Sequence, residues 1–203
     1  MGVTVRLESA LDLVKKMECA KERHWREPRD ERILKKFPNL QRYLSNNYIT
    51  TLPDGVFAKL TRLQYLYLMN NYITTLPDGV FAKLTRLQYL WFGYNGISSL
   101  PDGVFSTLKS LRDLGLSNND ITILPDGVFA NLTRLQSLWV AYNAISSLPD
   151  EVFSTLKSLT TLYLRNNDIT ILPDGVFANL ARLLHLMNEK LLEVLATQSK
   201  SSF

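Results

Sequence analysis

The stretch LQYLYLMNNYITTLPDGVF, Leu63 to Phe81, decides the fold. Its first half alternates: Leu66 and Leu68 are interleaved with Tyr65, Tyr67 and Met69. That two-residue period is a strand's, so it predicts a short strand with the leucines inward and the aromatics outward. Its second half cannot continue as strand. Pro77 removes a backbone donor, Asp78 and Gly79 favour a turn, and Val80 with Phe81 then supply two apolar side chains to a core. Asn71 stands between the halves, where a side-chain amide can bond turn backbone groups that burial would leave unpaired.

Working outward, the same spelling returns. LPDGVF begins at Leu52, Leu76, Leu100, Leu124 and Leu172, with LPDEVF at Leu148. The unit LxxLxLxxNxIxxLPDxVFxxLxx begins at Leu63, and its apolar positions recur from Leu87, Leu111, Leu135 and Leu159, a period of 24 residues. Asn47, Asn71, Asn95, Asn119, Asn143 and Asn167 fall in step and predict a ladder of side-chain amides. NNDITILPDGVFANL starts at both Asn118 and Asn166, and ISSLP at both Ile97 and Ile145, so from the third repeat the identity period is 48. Such periodicity predicts a solenoid with one strand per turn, the strands forming a parallel sheet at ~4.8 Å spacing.

These residues resemble the leucine-rich repeat family, typical 24-residue class. LPDGVFAKLTRLQYLYLMNN is most similar to repeats of variable lymphocyte receptors and Toll-like receptor ectodomains. The resemblance implies an α/β solenoid: a horseshoe with a parallel concave β-sheet, an irregular or 3-10 convex side, and protein partners on the concave face. The expected division is a helical cap over residues 1–32, a solenoid of about six repeats over 33–187, and a helical cap with tail over 188–203. The caps are read from Leu11, Val14, Met17 and Ala20 at helical spacing and from NEKLLEVLATQ, because a solenoid's terminal repeats otherwise expose sheet edges and an open core. A one-residue shortfall between Phe37 and Leu60 leaves the first strand's register unassigned.

Composition narrows the functional classes. With 203 residues, 46% hydrophobic and 21% charged, the chain can build one sizeable core. No uninterrupted apolar run reaches the ~18 residues of a spanning helix, so no membrane role is expected. A formal charge of +4 comes without any run of five basic residues, which argues against nucleic acid. Cys19 is the sole cysteine and His24 and His185 the sole histidines, so no internal disulfide, metal centre, cofactor or enzymatic activity is expected. With no capping cysteines, the cytoplasm is the expected compartment; the sequon at Asn131 points the other way.

What remains is the outward face of the sheet. The candidate partner-binding residues are Tyr65, Tyr67, Tyr89, Trp91, Tyr94, Asp113, Gly115, Trp139, Tyr142, Tyr163 and Arg165. Outward strand positions add nothing to the core, and clustered exposed aromatics mark interaction surfaces. Trp91 and Trp139 lie two strands apart, hence ~10 Å, with Gly115 between them as the expected floor of a groove. The expected function is a non-enzymatic protein-binding module. A homodimerising structural repeat protein and an engineered consensus-like scaffold are the alternatives.

Overall fold

The Leu-x-Leu alternation forms strands at the expected interval. The computed structural model describes residues 41–187. Its strands are β1 (Gln41–Tyr43), β2 (Tyr65–Tyr67), β3 (Tyr89–Trp91), β4 (Asp113–Gly115), β5 (Ser137–Trp139), β6 (Thr161–Tyr163) and β7 (His185–Met187). They make one parallel sheet in chain order, each strand paired with the next. The register is constant: Leu66 stands opposite Leu90, Leu90 opposite Leu114, and Leu114 opposite Leu138. β1 also keeps it, Gln41 facing Tyr65, so the shortfall near the first strand lies outside the strand pairing. Both proposed helical caps lie outside the described residues, within which the structure contains no helix.

The core is a stack of equivalent side chains. Leu66, Leu90, Leu114, Leu138 and Leu162 are completely buried behind the sheet. On the opposite side, the LPDGVF segments run through successive tight turns. In one of them the Val56 N–H donates to the Pro53 carbonyl, Ala58 N–H to Gly55, and Leu60 N–H to Phe57. These turns deliver Phe57, Phe81, Phe105, Phe129, Phe153 and Phe177 into a column whose neighbouring rings stack at 6.1 to 6.4 Å. Phe92 replaces the usual aliphatic residue behind β3 and packs between Phe81 and Phe105.

The asparagines join each turn to the one before it. The Asn119 amide donates to the carbonyls of Phe92 (3.1 Å) and Leu116 (2.9 Å), while its oxygen accepts the Ile97 N–H at 3.1 Å. Asn71, Asn95, Asn143 and Asn167 repeat this three-way pattern with the corresponding residues of their own turns. One side chain thus satisfies a donor and an acceptor of the preceding turn and an acceptor of its own. The alternative is buried, unpaired backbone, at ~1–3 kcal/mol per group.

Five of the six LPD turns place glycine in the left-handed region, φ +61° to +66°, where a Cβ would crowd the following carbonyl. The sixth has Glu151 at φ +58°.

Two outcomes are expected. Asn119→Ala should destabilise the chain by ~3 kcal/mol or more, read from urea denaturation, because three buried backbone groups lose their partner together. Glu151→Gly should raise stability by ~1 kcal/mol by removing left-handed strain; a fall in the melting temperature would contradict this account of the sixth turn.

Candidate functional site

Each strand presents two outward side chains, and a third outward row follows where the chain leaves the sheet. The period therefore arranges the face in columns running across the strands. The first contains Tyr65, Tyr89, Asp113 and Ser137 in direct register. Tyr65 and Tyr89 stack with centroids 4.7 Å apart and planes 5° from parallel. Asp113 comes next, half-buried. Burial raises its pKa above the ordinary 3.8, while its hydrogen bond with Ser137 and the nearby Arg112 charge work in the opposite direction.

The second column is Tyr67, Trp91, Gly115, Trp139 and Tyr163. Here the structure corrects the expected groove. Trp91 and Trp139 do not stand ~10 Å apart; their centroids are 5.5 Å apart, with planes inclined by 46°. The Trp91 ring lies over Gly115, where a Cβ would come within 2.6 Å of its Cε3. Gly115 therefore admits an indole of its own chain rather than a partner. Trp139 in turn stacks on Tyr163 at 3.9 Å. The result is a continuous aromatic wall, in which the Trp139 indole N–H is buried without a hydrogen-bond partner.

The open space lies one column further along. Gly93, Ser117 and Ala141 form a floor of small residues between Met69 at one end and Arg165 at the other. Gly93 is fixed by close packing, since a Cβ there would sit 2.7 Å from the Ser117 carbonyl oxygen. Ser117 Oγ accepts the Ala141 N–H at 3.1 Å, tying the floor together. The aromatic wall bounds one side, and Tyr94, Asn118 and Tyr142 bound the other, enclosing about 200 Å³. Arg165 places its guanidinium 5.1 Å over the Tyr142 ring.

Tyr94 and Tyr142 occupy the position that is Asn46, Asn70, Asn118 and Asn166 in the other turns, and all six have φ between +54° and +60°. Asparagine tolerates that conformation; a bulky aromatic does so only at a cost. Both tyrosines are well exposed, 55% and 42%, so core packing does not require them.

Of the eleven residues expected from sequence, Trp91, Tyr94, Gly115, Trp139, Tyr142, Tyr163 and Arg165 line this trough. Tyr65, Tyr89 and Asp113 belong to the neighbouring column, and Tyr67 stands beside Trp91 across the β2–β3 pairing. The eleven omit five lining residues, Met69, Gly93, Ser117, Asn118 and Ala141; their place in the period was the signal that could have found them. Among the described residues no group of three or more His, Cys, Asp or Glu side chains could hold a metal ion.

A parallel solenoid with leucines inward, an asparagine ladder and a varied outer sheet face defines a repeat protein whose surface is separable from its core. The family model for the leucine rich repeat matches residues 38–97, 92–145 and 133–191. The chain belongs to the leucine-rich repeat family. Among solved structures it is similar to a leucine-rich repeat protein of Leptospira interrogans, with 32% identity, TM-score 0.64, and coverage of 77% of this chain and 40% of that one. An internalin from Listeria monocytogenes gives 32% identity and TM-score 0.58 over 71% of this chain and 39% of its own. The LRIM1/APL1C complex gives 29% identity and TM-score 0.63 over 69% of this chain and 26% of that one. The chain thus spans two fifths or less of the length of each of these structures. A comparison with curated protein sequences finds no match.

The Asp113 environment sets a pH dependence. Because folding raises its pKa, the folded chain holds this proton more tightly than the unfolded one. The resulting destabilisation is absent below the ordinary value of 3.8 and develops as pH rises from there through the raised folded value. Asp113→Asn should therefore melt above the parent at neutral pH, with the difference closing as pH is lowered toward 3.8. A pH-independent difference in thermal denaturation would contradict the burial argument.

Proposed function

We propose that the chain is a non-enzymatic recognition module that binds a protein partner along the trough on the outer, concave face of its sheet. The observation that carries this reading is the pair Tyr94 and Tyr142, exposed and held at φ +55° where the other turns use asparagine. Strained, exposed aromatics that the core does not need are concentrated where a surface has work to do. The aromatic wall beside them is rigid because its rings already pack on one another, so a partner would order few side chains on binding.

Membership of a family commonly used for protein–protein interaction supports the reading, as does the occurrence of one similar structure as a complex. A finer kinship with variable lymphocyte receptors and Toll-like receptor ectodomains, suggested by LPDGVFAKLTRLQYLYLMNN, remains part of the proposal.

The test exploits the difference between strain and contact. Tyr94→Asn with Tyr142→Asn should leave the melting temperature no lower than the parent's, since both replacements suit the left-handed backbone. The same variant should lose partner binding by at least ~10-fold, as expected when two aromatic contacts are removed together. Light scattering during size-exclusion chromatography, run in parallel, separates a foreign partner from a second copy of the chain. Full retention of partner affinity by the double variant would reject the trough as the binding surface.

A further inference from the structure

The lining of the trough restricts what can occupy it. Its volume of about 200 Å³ lies below the ~300–1,000 Å³ typical of small-molecule sites and suits side chains of a larger partner. From Met69 to Arg165 it crosses four strand spacings, ~19 Å, the reach of five or six residues in extended conformation. The floor of Gly93, Ser117 and Ala141 leaves room for an apolar side chain against the indole wall.

Charge stands at one end. Arg165 is the sole charged residue lining the trough. Its guanidinium lies over Tyr142 and carries no ion pair among the described residues. Held on an aromatic face, a guanidinium keeps its fork of donors free for a planar acceptor such as a carboxylate. Ser117 adds to this bias: its oxygen already accepts the Ala141 N–H, so its own hydroxyl hydrogen can be donated. No carboxylate lines the trough to compete for either donor.

We infer that the trough seats an extended acidic segment of a protein partner, with an apolar side chain over the Gly93–Ser117–Ala141 floor and a neighbouring Asp or Glu carboxylate on Arg165. The inference rests on the trough being the binding surface and adds the chemical class of its occupant. A phosphopeptide would call for a cluster of arginines, and single-stranded nucleic acid for a basic groove along the whole path. A single arginine at one end of an aromatic trough fits neither.

The experiment selects random twelve-residue peptides displayed on phage against the intact chain, then measures the enriched peptides in solution. They should carry Asp or Glu within two residues of an aromatic or large aliphatic residue and bind more weakly as salt is raised. Arg165→Glu should weaken them at least ~10-fold, the range of a charge-assisted bond replaced by repulsion. Amidating the peptide's acidic side chain, as Asn or Gln, should weaken binding to the parent but not to Arg165→Glu, the sign of a direct coupling. Peptides that ignore Arg165→Glu yet are lost with Tyr94→Asn and Tyr142→Asn would overturn the acidic-segment inference and leave the trough standing. Peptides indifferent to both changes would remove the trough itself. A selection without enrichment over Arg165→Glu, or a preference for phosphopeptides or single-stranded DNA in the same assay, would also overturn the inference.

Discussion

The structure depends on one constraint: buried backbone groups in every turn must find partners, and a single asparagine per turn provides them. Each asparagine from Asn71 to Asn167 bonds to both its own turn and the preceding one. An insertion within this span would break bonds in two turns at once. This is why the 24-residue period holds through the described solenoid although residues between the anchors vary. The phenylalanine column applies the same discipline on the far side, since a ring displaced from one turn disturbs both neighbours.

With periodicity fixed by buried groups, the outer face is free to vary, and two kinds of variation coexist there. Gly115 and Gly93 are set by contacts within the chain, one beneath an indole and the other beside a carbonyl. Tyr94 and Tyr142 depart from the local backbone preference with no compensating burial. Glu151 departs from it too, in an LPD turn away from the trough, and nothing in the structure explains its presence there. Backbone strain therefore identifies a surface only when exposure and clustering accompany it.

Strands, turns, ladder and core were all legible in the sequence because each depends on residues at fixed spacing. Leu66, Asn71 and Phe81 could be assigned from one repeat and checked against the next. The open part of the candidate site was not. Register places Trp91 beside Gly115 but does not say which way the indole leans, and that choice is made by packing with Trp139 and Tyr163 across three strands. The ring closed the space expected above Gly115, and the opening moved to the small residues after the strands. The first strand shows the converse: a spacing irregularity upstream hid a register that pairing with β2 keeps unchanged.

The two-turn alternation gives the trough a unit of length. Trp91, Gly93 and Tyr94 return 48 residues later as Trp139, Ala141 and Tyr142, so one pair of turns carries a complete segment of wall, floor and rim. Adding or deleting such a pair leaves every asparagine bond in step while changing the trough by ~10 Å, about three residues of an extended occupant. The module is in this sense a ruler with coarse graduations. Recombination between its nearly identical segments would alter the length of the trough without altering the chemistry of its wall, floor and rim.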